Sequence, residues 1–324
     1  MAHMRFATLT SGGDAPGMNA ALRGIVREAC FLGHQVLGVH RGYYGLLDGN
    51  FHPLGPRDVS NILQRGGTFL HTSRCPEFHT PEGVSKAAEN LRTHHIDALI
   101  AVGGNGTFQG CMALAKEWDG KIIGLPGTID NDLYGTDGTI GYDTAVSTAL
   151  DAIDKIRDTA MSHERFFLVE VMGRDSGFIA LQVGFNGGAE EILVPEEPVD
   201  LQAICERFRA GKKSGKTSNI LVVAEGAYPG GAAAVAKDLH GLSGDDYRIC
   251  VLGHLQRGGS PTARDRLLAT SLGAFAVRAV MAGESGKMAG EAAGKMVLVP
   301  FADAVGKKKE LDRELLDLAR RLAI

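Results

Sequence analysis

The sequence has few cysteines, no long apolar run and little net charge, and each shortage excludes a class of protein. Its five cysteines form no C-x-x-C pair, which indicates scattered, reduced thiols and a cytoplasmic location. No apolar run reaches the length of about 18 residues that a membrane helix needs, and the N-terminus lacks the apolar core of a signal peptide. A net charge of −4 argues against nucleic-acid binding and against a membrane-surface protein.

Glycine is the residue that this sequence has in excess. It accounts for 44 of 324 residues, roughly twice its usual share. There is no G-X-Y period and there are only 11 prolines, so a collagen-like chain and a flexible linker are both excluded. A globular protein uses this much glycine where its backbone turns sharply or approaches a ligand.

Short apolar runs alternate along the chain with segments of helical periodicity. The predicted strands are Arg5–Thr10, Gln35–Val39, Ala98–Val102, Ile122–Leu125, Phe166–Val171 and Ile220–Ala224. The predicted helices are Met18–Cys30, Thr144–Thr159, Leu201–Arg209 and a C-terminal segment with Leu311, Leu315, Leu318 and Leu322 at helical spacing. The alternation predicts an α/β protein of mostly parallel sheets flanked by helices, and the length favours two lobes.

Two glycine-rich loops follow predicted strands. Thr10–Gly17 reads TSGGDAPG and Gly103–Thr107 reads GGNGT. Because ligands of open α/β sheets bind at the carboxyl ends of strands, both loops are candidates for phosphate binding through main-chain N–H groups. A plain tight turn explains the first loop about equally well, whereas three glycines in the second favour a polyphosphate.

Charged residues also gather at strand ends. Asp130 and Asp132 follow a strand with Thr128 just before them, and such a pair can bind Mg²⁺ or supply a base and an electrostatic partner. A turn with solvated carboxylates is the alternative. Four arginines and a histidine near strand ends favour an anionic ligand, since guanidinium groups bind phosphate through two donors. These are Arg165, Arg174, Arg248, Arg257 and His254.

Taken together, these segments resemble the 6-phosphofructokinases over nearly the whole chain. The motifs TSGGDAPGMNAALR, RGGTFLHTSRCPEF, GGNGT, PGTIDND, SHERFFLVEVMGRDSG, AEGA and LGHLQRGGSPTARDR occur in the order of that family, and the chain is most similar to the bacterial ATP-dependent type. The resemblance implies two lobes with the active site in the cleft between them. It places residues 1–141 and 256–305 in a larger ATP-binding lobe and residues 142–255 and 306–324 in a smaller lobe for fructose 6-phosphate.

The resemblance also implies a reaction and a role for each site residue. Asp130 would be the general base that deprotonates the sugar 1-hydroxyl, and Arg174 would neutralise the transferring phosphoryl group. Thr128 and Asp132 would position the reacting group and, with Asn105, organise Mg²⁺. The residues expected to line the ATP side are Gly12, Tyr43, Arg74, Cys75, Gly104, Asn105, Gly106 and Thr107. The residues expected to hold the sugar phosphate are Arg165, Met172, Gly173, Glu225, Arg248, His254 and Arg257.

Two kinds of position bear on the phosphoryl donor. Diphosphate-using relatives usually carry Asp and Lys where this chain has Gly106 and Gly127, so glycine at both positions favours ATP by leaving room for its α-phosphate. Asn105 stands where the family usually has an Asp that helps to bind Mg²⁺. An uncharged amide there predicts weaker use of Mg²⁺–ATP.

Regulation and assembly follow from the same resemblance. A homotetramer is expected, in which Arg165 and Arg248 reach into a neighbouring subunit's site. The positions that match an ADP or phosphoenolpyruvate effector site are Arg23, Arg27, Arg157, Glu190 and Lys216. Pro56, Ser214 and Ser218 replace residues that are usually basic, which predicts blunted or altered allosteric control.

The leading prediction is therefore an ATP-dependent 6-phosphofructokinase of glycolysis, with Mg²⁺ as its metal. Three alternatives stay open at this point. The first is a diphosphate-dependent phosphofructokinase, and the second is a catalytically weak, metabolite-sensing homologue, suggested by Asn105. The third is a protein like an NAD kinase, which would not explain PGTIDND and GHLQRGGS together.

Overall fold

The computed structural model describes residues 3–163, 165–216 and 219–323. These residues divide into two compact units. The larger unit contains residues 3–129, 133–144 and 257–309. The smaller unit contains residues 130–132, 145–163, 165–216, 219–256 and 310–323.

The larger unit is built on a sheet whose central strands are almost wholly buried. Its strands are β1 (Arg5–Thr10), β2 (Gln35–Val39), β3 (Phe51–Leu54), β4 (Ala98–Gly103), β5 (Lys121–Pro126), β10 (Lys287–Ala292) and β11 (Lys295–Pro300). They lie in the order β11-β10-β5-β4-β1-β2-β3, with only the two edge strands antiparallel to their neighbours. Since β1, β4 and β5 are almost wholly buried, they have the continuous apolar character of central parallel strands.

Helices cover this sheet. They are α1 (Met18–Phe31), α2 (Tyr43–Asp48), α3 (Pro81–Thr93), α4 (Asn105–Leu114), α9 (Ala263–Met281) and α10 (Phe301–Gly306). Helices α1 and α9 pack closely because glycine lies at their contact. A Cβ on Gly24 would stand 2.5 Å from the Thr270 carbonyl oxygen, and one on Gly273 would stand 2.5 Å from that of Ala21. Much of the glycine excess therefore serves packing as well as loops.

The smaller unit has a four-stranded parallel sheet in the order β7-β8-β6-β9. Its strands are β6 (Phe166–Val171), β7 (Glu191–Leu193), β8 (Asn219–Ala224) and β9 (Tyr247–Val251). Its helices are α6 (Phe178–Asn186), α7 (Leu201–Lys213), α8 (Gly231–Ser243) and α11 (Arg313–Leu322), and α5 (Tyr142–His163) enters it from residue 145 onward. No helix in the described parts of the chain is both long and apolar enough to cross a membrane.

The predicted α/β class is confirmed, and the C-terminal helix is present with a different buried face. Helix α11 begins at Arg313, so Leu311 precedes it. Leu316 and Ala319 are its buried residues, whereas Leu322 is exposed. Four leucines at helical spacing indicated the helix correctly, but a short surface helix packs through the residues that face its neighbour.

Candidate active site

The two glycine-rich loops of the larger unit lie at one edge of the sheet. Strands β1 and β4 are parallel neighbours with Thr10 opposite Val102, and the Ser11 N–H donates to the Val102 carbonyl at 2.9 Å. The carboxyl ends of both strands therefore meet at the same place. This arrangement brings Gly12 and Gly104 to one side of the sheet, as their expected role in binding ATP requires.

Thr107 fastens these loops together. Its hydroxyl donates to the Ser11 carbonyl at 3.2 Å, and its side chain is buried. A Cβ on Gly103 would lie 2.2 Å from that hydroxyl and 2.6 Å from the Ser11 oxygen, so only glycine fits there. The buried Thr107 side chain thus holds the two glycine-rich loops next to each other.

Helix α4 begins directly at Asn105, with Gly104 as its N-cap and no side chain capping it. The N–H groups of a first helical turn lack partners inside the helix and carry the positive end of its dipole. A Cβ on Gly106 would have no atom within 4 Å, so the space beside this turn is open. A helix start of this kind is suited to bind a phosphate through main-chain N–H groups.

Tyr43 supports α4 from beneath and is itself buried. Its hydroxyl donates to the Thr107 carbonyl and lies 3.3 Å from the Cys111 sulfur, and its ring stacks on Phe78 with centroids 3.9 Å apart. Burial raises the pKa of the Tyr43 phenol, and it raises the pKa of Cys111 to about 12. Both groups therefore stay neutral. Tyr43 contacts α4 through Thr107 and Cys111.

Thr128 and Gly127 follow β5 in the larger unit. Thr128 is buried, and its Cβ is 3.5 Å from the position that a Cβ on Gly104 would take. A Cβ on Gly127 would meet Val102 at 2.9 Å and Met18 at 3.0 Å. Glycine at 127 is thus required by local packing, whereas Gly106 borders open space.

The loop before the 3-10 helix Pro76–His79 also contacts the first glycine-rich loop, Thr10–Gly17. The Thr72 hydroxyl donates to the Gly12 carbonyl at 2.8 Å, which places the exposed Arg74 and half-buried Cys75 on the segment beside it. Arg257 belongs to this unit as well. Its guanidinium donates to the Asp14 carbonyl at 3.3 Å, and a Cβ on Gly13 would stand 2.6 Å from its Nη1.

The smaller unit holds the carboxylate that the resemblance assigns as the base. Asp130 is buried, and the Arg174 Nε lies 3.7 Å from its Oδ2. The Ser176 hydroxyl donates to the Asp130 carbonyl at 3.1 Å and to the Gly173 carbonyl at 2.9 Å. Asp132 is half-buried in the same unit. A buried carboxylate beside a mostly exposed guanidinium is suited to accept a proton next to a bound anion.

The loop that carries Arg174 is held in place by hydrogen bonds that its main-chain N–H groups donate to two side chains. Glu225 accepts from the N–H groups of Gly173 at 3.2 Å and Arg174 at 2.8 Å, and Gln256 accepts from that of Met172 at 2.8 Å. Arg174 has a φ of 52°, in the left-handed region that costs a side-chain-bearing residue energy. A Cβ on Gly226 would stand 2.0 Å from the Arg174 carbonyl oxygen. Any larger residue at position 226 would therefore clash with that carbonyl in its observed position.

Three expected phosphate-binding residues of the smaller unit are exposed: Arg165, Arg248 and His254. Arg165 immediately precedes β6, and Arg248 lies on β9, opposite Phe167 of β6. Strand β9 is an edge strand whose Ile249 and Val251 side chains are exposed. Arg248 therefore lies on an edge strand that a second chain can reach, and Arg165 lies at the start of the neighbouring strand.

The expected effector residues fall into two groups. In the smaller unit, Glu190 Oε1 lies 3.7 Å from an Arg157 nitrogen and 3.5 Å from the Lys216 ammonium. Lys216 also donates to the Ala323 carbonyl at 2.9 Å, and Arg157 to the Gly187 carbonyl at 2.6 Å. This cluster has two cations and one carboxylate.

The second group lies on α1 in the larger unit. Burial and the nearby Arg27 lower the pKa of Arg23, and Arg27 donates to the Pro56 carbonyl at 3.5 Å. A cavity of about 470 Å³ is lined there by Arg27, Pro56 and Arg57, among others.

Two further positions of the expected effector site belong to the smaller unit. Ser214 donates to the Gly211 carbonyl at the end of α7, and Ser218 lies outside the described residues.

Each of the two units carries an oxygen donor of the kind that Mg²⁺ uses. The described residues contain no group of three or more His, Cys, Asp and Glu side chains that could hold a metal ion. Mg²⁺ is usually bound by one or two carboxylates together with substrate phosphates and water, and Asp132 and the Asn105 amide are oxygen donors of that kind.

A phosphofructokinase family model matches residues 5–280. The chain belongs to the phosphofructokinase family. It is 57% identical over 320 residues to ATP-dependent 6-phosphofructokinase 1 of Thermus thermophilus, with 99% of each chain covered. Its fold matches a Saccharomyces cerevisiae phosphofructokinase structure with a TM-score of 0.87 at 37% identity, covering 94% of this chain and 45% of that one. A pyrophosphate-dependent phosphofructokinase from Marinobacter aquaeolei matches with a TM-score of 0.84 at 22% identity, covering 98% and 91%, which shows the shared fold.

Sequence reasoning missed several residues that shape this phosphofructokinase site through the main chain. Ser176, Gly226 and Gln256 contact backbone atoms of residues 130 and 172–174. All three stand inside or next to motifs of the family, so position was their only signal. Uncharged side chains that bond distant main-chain atoms leave no periodicity or charge pattern to read.

Proposed function

We propose that this chain transfers the γ-phosphoryl group of ATP to the 1-hydroxyl of fructose 6-phosphate, giving fructose 1,6-bisphosphate and ADP, the glycolytic reaction. Relatives named ATP-dependent 6-phosphofructokinase are 47–57% identical to it over nearly its full length. The observation that carries the proposal is the buried Asp130 carboxylate with the Arg174 guanidinium 3.7 Å away. This pair supplies both a base and a cation for phosphoryl transfer.

Each residue then has a distinct task. Asp130 takes the proton from the attacking hydroxyl, and Arg174 offsets the charge that develops on the transferring phosphoryl group. The Glu225 carboxylate accepts hydrogen bonds from the Gly173 and Arg174 N–H groups. It therefore fixes the main chain from which the Arg174 side chain extends. Met172, Gly173, Glu225, His254 and Arg257 are proposed to hold the sugar phosphate.

ATP is proposed to bind the larger unit. The first turn of α4 would contact its phosphates through main-chain N–H groups, and Gly12, Arg74 and Cys75 would lie beside them. The open space beside Gly106 leaves room for a nucleotide chain longer than diphosphate, which favours ATP over the diphosphate alternative.

Mg²⁺ is proposed to bind with ATP. When bound, the ion screens the phosphate charges and polarises the transferring group. Asp132 and Asn105 supply oxygen donors for it. Because Asn105 has no charge, the requirement for Mg²⁺ is expected at higher concentration than with a carboxylate there.

Assembly and control are part of the proposal. The exposed apolar edge at Ile249 and Val251, next to Arg165 and Arg248, supports a homotetramer in which these arginines serve a neighbour's site. The Arg157–Glu190–Lys216 cluster in the smaller unit and, separately, the cavity beside Arg27 in the larger unit each support the binding of an anionic effector such as ADP or phosphoenolpyruvate. We further propose a cytoplasmic location, which fits five free thiols.

A coupled assay tests the reaction and its donor. Fructose 6-phosphate is supplied with either ATP or diphosphate while Mg²⁺ is titrated, and turnover is expected with ATP only. Asp130→Asn is expected to lower kcat by about 10²- to 10⁴-fold, whereas the exposed Asp151→Asn serves as the control. Turnover with diphosphate alone would favour the first alternative, and none with either donor would favour the metabolite-sensing one.

The Asn105→Asp variant tests whether the uncharged amide at position 105 weakens the use of Mg²⁺–ATP. Restoring a carboxylate is expected to lower the Mg²⁺ concentration needed for half-maximal rate. An unchanged dependence on Mg²⁺ and ATP would contradict the role given to Asn105.

A further inference from the structure

We infer that a cavity in the smaller unit binds a small aliphatic α-amino acid. The cavity has a volume of about 300 Å³ and is lined by β7, the segment after it, α7 and α11. Its charged residues are Glu191, Glu197, Asp200, Arg207 and Arg320. None of them has a role in the proposed phosphoryl transfer or effector cluster. Glu190 of that cluster immediately precedes β7, which begins at Glu191.

A buried carboxylate, Glu191, lines the cavity and pairs with two partly exposed guanidinium groups. The Glu191 side chain is 3% exposed and pairs with the guanidinium of Arg207, while the Arg320 Nε lies 4.0 Å from its Oε1. Removing the Glu191 carboxylate from water is costly, because a buried charge loses its hydration. The half-exposed Arg207 has five N–H donors, so donors remain for a ligand. This polar part of the cavity is suited to a charged group of a bound molecule.

The balance of charge selects a ligand that carries both signs. Arg320 also pairs with Glu197 at 2.6 Å, and one Asp200 oxygen accepts from the Ala203 N–H at the start of α7. Two cations thus face three carboxylates. A simple anion would meet those carboxylates, and a simple amine would meet both guanidinium groups. A zwitterion can direct its carboxylate to Arg207 and its ammonium to Glu197 or Asp200.

The remaining walls select an aliphatic body. Val194, Val199 and Ile204 line the cavity beside the charged residues. A volume of 300 Å³ corresponds to about ten water molecules of liquid, which suits a ligand of about ten non-hydrogen atoms. Leucine and valine have this size, both charges and an apolar side chain.

Calorimetric titration of the full chain tests the site with matched probes. L-leucine is expected to bind with a dissociation constant between about 10 µM and 1 mM. 4-Methylpentanoic acid lacks the ammonium and 3-methylbutan-1-amine lacks the carboxylate, and each is expected to bind at least about tenfold more weakly. Equal binding of the acid would reveal an anion site, and equal binding of the amine a cation site; either result would overturn the proposal.

Variants then locate the binding. Arg207→Lys keeps the charge beside Glu191 but loses the two-donor geometry, and Glu197→Gln removes one carboxylate; each is expected to weaken L-leucine binding about tenfold. Arg209→Lys on the same helix, whose guanidinium donates to the Leu242 carbonyl outside the cavity, is the control and is expected to bind normally. No binding of L-leucine at about 10 mM, or equal binding by all variants, would also overturn the site. The donor assay is independent of this result.

Discussion

At the scale of single residues, Gln256 shows how an uncharged side chain can set the geometry of a charged one. It is fully buried, accepts from the Met172 N–H at 2.8 Å and donates to the Ala145 carbonyl at 3.4 Å. The loop from Met172 to Arg174 leads to a strained φ at its end, and such backbone persists only when its surroundings hold it. We therefore expect Gln256 to act as a positioning residue for the loop that carries Arg174.

Replacing Gln256 tests that role. Gln256→Leu leaves the Met172 N–H without its acceptor, which costs about 1–3 kcal/mol. We expect the KM for fructose 6-phosphate to rise about tenfold while the KM for ATP stays within about twofold. Gln256→Glu keeps an oxygen at that position and is expected to recover most of the affinity. Equal changes in both KM values would indicate a general loss of structure instead.

At the scale of elements, α2 and α4 depend on each other through one glycine. A Cβ on Gly110 would lie 2.7 Å from the Tyr43 ring and from its hydroxyl oxygen. Only glycine therefore lets the phenol reach the Thr107 carbonyl in the first turn of α4. Tyr43 therefore helps to set the position of the proposed phosphate-binding turn.

Gly110→Ala tests this dependence. We expect the free energy of unfolding to fall by about 1–3 kcal/mol from overpacking, and the KM for ATP to rise. The matched control is Gly241→Ala on α8, where an added Cβ has no atom within 4 Å; it is expected to be neutral or stabilising by about 0.5 kcal/mol. Chemical unfolding and ATP titration measure the two effects. A stable Gly110→Ala variant with unchanged ATP use would contradict the dependence.

A buried carboxylate joins the starts of α5 and α9. Asp265 accepts from the N–H groups of Gly141 at 2.9 Å and Thr144 at 2.8 Å. Burial raises its pKa, although these hydrogen bonds oppose the shift. The folded chain therefore takes up this proton at a higher pH than the unfolded chain, so Asp265 adds stability as the pH falls through its raised pKa.

Asp265→Asn removes that titration. We expect the variant to lose about 1–3 kcal/mol at neutral pH, because an amide nitrogen faces an N–H donor. The difference from the parent chain is expected to widen toward pH 4, since the parent alone gains from protonation. Unfolding free energies measured across that range decide the point, and a difference that narrows in acid would contradict the stated sign.

The elements that the sequence predicted are those with a continuous apolar run. Strands β1, β2 and β6 have the predicted bounds, because buried parallel strands carry apolar residues on both faces. Strand β7 begins with Glu191, and β10 contains a glycine and a glutamate, so neither shows such a run. Helix α4 starts within GGNGT, which reads as a loop, since its first turn has glycine where other helices have a capping side chain.

At the scale of the whole molecule, the exposed edge of β9 is where this chain is expected to meet a copy of itself. Val251 of β9 is 58% exposed, and Leu255 in the 3-10 helix Gly253–Arg257 that follows is 69% exposed. Exposed apolar residues beside an unpaired strand edge are suited to an interface. Arg248 lies on β9 and Arg165 precedes the adjacent β6, so we expect their proposed role in a neighbour's site to depend on the same contact. Assembly and catalysis should then be lost together.

Val251→Lys combined with Leu255→Lys tests that link. Placing two like charges at the edge is expected to shift the mass measured by light scattering from four chains to a smaller species, because burying unpaired charges is costly. The value of kcat/KM for fructose 6-phosphate is expected to fall at least about tenfold as the arginines leave the neighbour's site. Leu242→Lys, also at an exposed leucine, is the control and should leave both unchanged. A dissociated variant with full activity would show that each chain completes its own site.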